Sequence, residues 1–176
     1  RNDPTSAAKQ VSLTELGSIK INREERTKMY KTIPRSSVIG FLIGVLPGAG
    51  ATIASFLAYG MERNVVSDQE KEKFGKGSVN GLSAPETANN AACSGSFVPM
   101  LTLGIPGSGT TAVMLGALLG FGVQPGPRLY MTNPEIFWSI IMSMYIGMVI
   151  LLILNLPLIP YIARILAVPK NYLIPL

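Results

Sequence analysis

The phrase Pro-Gly-x-Gly-x-Thr stands twice in the middle of apolar sequence. The copies are Pro47-Gly48-Ala49-Gly50-Ala51-Thr52 and Pro106-Gly107-Ser108-Gly109-Thr110-Thr111. Proline removes a backbone donor and glycine loosens the chain, so neither suits a helix interior. Set together at the centre of a membrane-length segment, they point to a broken helix whose freed backbone groups face a ligand. The competing reading is that both pairs merely kink ordinary membrane helices packed through small residues. The repetition favours a binding site.

Composition places these breaks in a membrane. Only 14% of the 176 residues are charged and 48% are hydrophobic, whereas an average soluble domain carries roughly 25% charge. Eight of the fifteen Lys and Arg lie in residues 1–35 and four more in 61–80, while 81–163 hold only Glu86, Arg128 and Glu135. A lone Cys93 and no His remove disulfides within the chain, Cys/His zinc sites and His-dependent nucleophilic catalysis. Neither an enzyme nor a metal site is expected. The basic residues flank apolar segments and mix with acids, as in Arg23-Glu24-Glu25-Arg26. That pattern fits a cytoplasmic membrane flank better than a nucleic-acid surface. The chain opens without Met and ends without a polar stop, so a piece of a longer protein is expected.

Residues 1–36 read as an aqueous, cytoplasmic arm and 37–176 as part of a transmembrane domain. Within the arm, Asn22 with Glu25 three residues on has the spacing of a capping box opening a short helix. Residues 38–60 are uncharged. As one helix they reach about 35 Å; split at Pro47-Gly48, each half reaches only about 13 Å and can turn back at the midplane. Basic loops on both sides favour this re-entrant hairpin over a span. Residues 61–80 read as a solvated loop. Ser83-Ala-Pro-Glu86 reads as a helix start. Residues 97–123 form the second broken stretch, and 136–156 a transmembrane helix that Pro157 and Pro160 kink or end, with 158–168 as a shorter following piece. Asn155 suits an interhelical hydrogen bond.

At a helix break, freed N–H groups and the positive dipole end attract an anion. Glycine lets a ligand approach the backbone, and Ser or Thr hydroxyls add donors. The substrate-binding candidates are therefore Pro47, Gly48, Ala49, Gly50, Ala51 and Thr52 with Pro106, Gly107, Ser108, Gly109, Thr110 and Thr111. Nucleotide readings fail: neither copy has the Lys of a phosphate-binding P-loop, and no acid follows at dinucleotide-fold spacing. Glu86, Asn89 and Asn90 share one helical face with Cys93. They line an ion-coupling cavity, or else cap a helix in a loop; the residues alone leave both open.

Several phrases together resemble a known family: Gly44-Val-Leu-Pro-Gly-Ala-Gly-Ala-Thr52, Phe74-Gly-Lys-Gly77, Ala84-Pro-Glu-Thr-Ala-Asn-Asn-Ala91, Leu101-Thr-Leu-Gly-Ile-Pro-Gly-Ser-Gly-Thr-Thr111, Gln124-Pro-Gly-Pro127 and Asn155-Leu-Pro-Leu158. In this order, over roughly residues 35–176, they are similar to the large membrane subunit (TctA) of the tripartite tricarboxylate transporters. The resemblance implies the C-terminal part of a bacterial inner-membrane subunit. It implies a small membrane subunit and a periplasmic binding protein as partners, an organic carboxylate such as citrate as substrate, and a sodium or proton gradient as driving force, with no cofactor. The expected fold is all-α: a polytopic membrane protein with broken or re-entrant helical hairpins, part of a larger inverted-repeat transporter. A membrane scaffold with kinked helices and no transport role is the alternative.

Overall fold

The computed structural model describes residues 21–166, and among them the structure is all-α, without strands. Residues 22–139 form one compact unit, and residues 140–166 belong to a second. The expected arm falls largely outside the described residues.

Helix α1 (Arg23–Val45) opens with the capping box legible in the sequence. The Asn22 side chain accepts from the Glu25 N–H at 2.8 Å, and Glu25 accepts from the Asn22 N–H at 2.8 Å. The helix does not stop at the apolar boundary but runs on through Pro34. It ends at Leu46, which takes an extended conformation because the residue before a proline is pushed out of the α region. After a tight turn, α2 (Gly50–Val65) begins; the short α3 (Asp68–Lys71) follows, and then α4 (Val79–Gly95). The first break therefore falls where Pro47-Gly48 put it.

Helix α4 starts earlier than the sequence suggested. Ser78 is its N-cap, accepting from the Gly81 N–H at 3.0 Å, and Pro85 lies inside the helix rather than in its first turn. Helix α5 (Phe97–Leu103) ends at Gly104, whose φ of +70° is a left-handed cap that glycine adopts without a Cβ penalty. The second break follows, then α6 (Gly109–Gly120), the short α7 (Leu129–Thr132) and α8 (Pro134–Leu166).

Helices α1, α2 and α4 pack through stripes of small residues repeated every fourth position. The stripes are Thr32, Ser36, Gly40 and Gly44 on α1; Ala54, Ala58 and Glu62 on α2; and Asn80, Ala84, Ala88 and Ala92 on α4, where Ser83 and Gly95 are buried as well. A fourfold spacing keeps residues on one helix face, and small side chains let backbones approach closely. The approach is close enough that a methyl at Gly40 would overlap the Ala88 backbone, and one at Gly44 the Ala92 backbone. These contacts, with the Thr32–Asn80 hydrogen bond, pair residues at a constant register, so α1 and α4 run parallel. Helix α2 doubles back and packs against both, bringing Glu62 to Thr32.

Glu62 corrects one reading of the sequence. The stretch 61–80 was expected to be a solvated loop, yet its first residues complete α2 and Glu62 is fully buried.

The apolar segment Pro134–Ile159 has a mean hydropathy of 2.4 and none of it is buried. By length and composition it is able to cross a membrane. Neither Pro157 nor Pro160 ends the helix, which continues to Leu166; residues 167 and 168 of the expected following piece lie outside the described residues.

Candidate functional site

The two breaks are built differently. At the first, Gly48 and Gly50 have φ of +80° and +70°, and nothing lies within 4 Å of a Cβ built on either. The Ala49 N–H bonds back to the Leu46 carbonyl at 3.2 Å. No side chain caps α2, so the N–H groups of its first turn keep their donors for another partner. Pro47, Gly48 and Thr52 are exposed, while Ala49, Gly50 and Ala51 are half-buried.

At the second break the hydroxyls turn inward. The Ser108 side chain accepts from the Thr111 N–H at 3.3 Å, and the Thr111 hydroxyl oxygen accepts from the Ser108 N–H at 2.8 Å. This capping box closes the start of α6 and leaves Thr111 only 1% exposed. Pro106 is half-buried, Gly107 is buried, and Gly109 and Thr110 are exposed. Of the side chains expected to meet a ligand here, the Thr110 hydroxyl alone is exposed.

Both breaks lie toward the same end of the bundle. A Cβ at Gly95 would stand 2.6 Å from the Phe41 carbonyl oxygen and 3.2 Å from the Gly44 Cα, just before the first break. Its neighbour Ser96 meets the second break, where a Cβ at Gly107 would lie 2.8 Å from the Ser96 Cβ. Residues 36–61 and 87–127 carry no charge, so this end of the bundle is uncharged along α1, α2 and the second break.

Glu86, Asn89 and Asn90 sit where helical spacing put them, on an exposed face of α4 beside the exposed Cys93. The Asn90 amide donates to the Glu86 carbonyl at 2.9 Å. Pro85, on the same turn, accepts from the Ser55 hydroxyl of α2 at 3.1 Å.

The opposite end of the bundle holds a polar cluster that the sequence did not single out. Glu62 Oε1 accepts from the Arg35 guanidinium at 2.7 Å, the Thr32 hydroxyl at 2.8 Å and the Asn80 amide at 3.2 Å. Arg35 keeps 38% of its side chain exposed, so the pair sits at the margin of the buried zone. The signal was present in sequence: Glu62 continues the Ala54, Ala58 stripe, and Thr32 and Asn80 begin the other two.

Farther out, Lys28 bridges Glu24 at 2.7 Å and Glu70 at 3.0 Å, while Lys73 reaches Glu70 at 2.6 Å. Hydrogen bonds from Lys73 and Lys28 hold the Glu70 carboxyl below the ordinary value of 4.5. Those to Glu24 and Glu70 raise the Lys28 ammonium.

Close small-residue packing and two uncapped or self-capped chain breaks define a broken-helix architecture of the kind membrane transporters use. The chain belongs to the tripartite tricarboxylate transporter TctA family, whose model matches residues 1–176. It is 38% identical over 99% of its length to an uncharacterized 52.8 kDa protein in the TAR-I ttuC' 3' region of Agrobacterium vitis, covering 34% of that relative. It is 46% identical over 77% of its length to an uncharacterized protein in the TAR-II ttuC' 3' region of the same organism, covering 55% of it. The chain thus spans about a third of one relative and about half of the other. No solved structure matches it.

Proposed function

We propose that this chain forms part of the membrane subunit of a secondary transporter for tricarboxylates or other organic carboxylates. An ion gradient drives uptake across a bacterial inner membrane, and a periplasmic binding protein and a small membrane subunit complete the system. Family membership supports the class. The observation that carries the mechanism is the placing of two uncharged chain breaks toward one end of a single bundle.

The dimensions support a re-entrant hairpin. From Arg35 and Glu62 to the turn, α1 contributes ten uncharged residues and α2 twelve, or about 15 and 18 Å of helix. That is roughly half of the ~30 Å hydrocarbon core. With its charged base at one membrane surface, the hairpin would place its turn near the midplane. There the uncapped first turn of α2 offers N–H donors and a positive dipole end to a carboxylate. Gly109 and Thr110 offer the same from α6. Glu86, Asn89 and Asn90 line the cavity or hold the coupling sodium or proton, because such a face is costly against lipid.

The capping box at Ser108 and Thr111 refines the test. Their removal disturbs a helix start, so loss of transport in those variants would be ambiguous. Thr52→Val and Thr110→Val remove exposed hydroxyls instead. In the subunit at its full natural length, the double variant is expected to reach the membrane normally and lower citrate uptake about tenfold, a loss of ~1.4 kcal/mol. Undiminished uptake across a panel of di- and tricarboxylates would leave the breaks as packing devices, the scaffold reading.

A further inference from the structure

Beyond the two breaks, the structure assigns a second anion site to the loop that follows α6. We propose that Arg128 and its pocket take up a small organic carboxylate before it reaches the breaks; the inference deepens the carboxylate-transport reading and rests on it.

The pocket is an open cavity of about 530 Å³, lined among others by Leu103, Gln124, Pro125, Arg128 and Thr132. Its volume lies within the ~300–1,000 Å³ range of small-molecule sites. Arg128 is the only cation between residues 81 and 163, and its guanidinium makes no salt bridge among the described residues. An arginine without a carboxylate partner, in a stretch nearly free of charge, keeps its planar fork available to two oxygens of an anion. The Gln124 amide belongs to the same lining and is able to donate to a further oxygen, while the Thr132 hydroxyl donates to the Arg128 carbonyl at 3.1 Å.

The loop is docked rather than loose. Val123, Pro125 and Leu129 are buried, and the Gly126 N–H donates to the Leu101 carbonyl of α5 at 3.2 Å. A Cβ at Gly104 would stand 2.8 Å from the Pro125 carbonyl oxygen, so the loop lies directly against the residue that ends α5 and opens the second break. Position and chemistry therefore join. A guanidinium on a docked loop stands beside a site that offers its ligand backbone and hydroxyl donors but no charge, and a cation at such a position raises local anion concentration and capture rate.

A phospholipid headgroup presents the same paired anionic oxygens, so the test separates the two sources. Citrate binding to the purified full-length subunit in detergent, free of added lipid, is compared for wild type, Arg128→Gln and Arg128→Lys. Citrate uptake follows with the small membrane subunit and the periplasmic binding protein added, in vesicles of phosphatidylethanolamine with and without phosphatidylglycerol. The proposal expects Arg128→Gln to raise both the citrate Kd and the uptake KM about tenfold with the maximal rate within twofold. Arg128→Lys should recover part of the loss, and the effects should be equal in both vesicle types. Unchanged Kd and KM would overturn it, as would an effect confined to vesicles containing phosphatidylglycerol. If Arg128→Gln is silent while Thr52→Val/Thr110→Val impairs uptake, only this inference fails. If the complete wild-type system, with the small membrane subunit and the binding protein, takes up no carboxylate, the underlying reading fails.

Discussion

The two ends of the α1–α2–α4 bundle solve opposite problems. At the base, one oxygen of a fully buried carboxylate is matched by a guanidinium, a hydroxyl and an amide from the neighbouring helices. At the far end, two chain breaks expose backbone groups with no charged side chain among residues 36–61 or 87–127. A buried ion pair is indifferent as a source of stability, but breaking it strands a charge. Its value here is register: Glu62 meets its donors only when α1, α2 and α4 are stacked at one offset. An uncapped break stabilises nothing by itself and stays free to bind. The comparison teaches that one end fixes the hairpin so that the other can leave its donors unpaired.

The strongest way to break this arrangement lies between the ends. Gly40→Leu and Gly44→Leu would drive a side chain into the Ala88 and Ala92 backbones. Overpacking typically costs about 1–3 kcal/mol and more where backbone must move. Both variants are expected to yield no folded protein by thermal unfolding in detergent. Next in size is the base. Glu62→Leu leaves Arg35 unpaired and is expected to cost about 3 kcal/mol, the low end for a broken buried pair because Arg35 is partly exposed. Adding Arg35→Met to it should recover most of that loss. No recovery would mean that the charges were not the reason for the cost.

The breaks themselves separate under one substitution. Gly50→Ala places a methyl at φ +70° and is expected to cost about 1–2 kcal/mol. Gly109→Ala lies in a helix with open space beside it and should be neutral or stabilising by up to about 1 kcal/mol. Equal losses at both would contradict the difference between the breaks.

The smallest effect is electrostatic. Glu70 is held below the ordinary carboxylate value by Lys73 and Lys28, so its contribution is complete above about pH 4.5 and is lost as pH falls through its lowered value. Glu70→Gln should flatten the acid limb of the stability profile slightly, an effect that salt weakens.

How much of this was legible in the sequence follows from the range of each interaction. The breaks at Leu46–Ala49 and Gly104–Ser108 and the Asn22–Glu25 capping box are local chemistry, and they fell where proline, glycine and spacing put them. Pro85 misled because a proline is commonest in a first turn, whereas Ser78 opens α4 seven residues earlier. Of the two outcomes expected at Pro157 and Pro160, a kink or an end, the end does not occur, since α8 continues past both. Glu62 was missed because its neighbours Arg63, Asn64 and Asp68 make the stretch look solvated, and its burial depends on partners 30 and 18 positions away. The inward turn of Ser108 and Thr111 was missed because their spacing serves a ligand or a capping box equally well.

The central claim is that the uncharged end binds the carboxylate while the base only holds it in place. Cys93 is exposed and must first be replaced by Ser. In that background, Thr52→Cys at the first break and Asn64→Cys near the base are labelled with a thiol reagent in the full-length subunit, with and without citrate. Both positions are exposed. The account predicts that citrate slows labelling at position 52 several-fold and leaves position 64 unchanged. Equal labelling with and without citrate at position 52, in a subunit that still transports citrate, would contradict it.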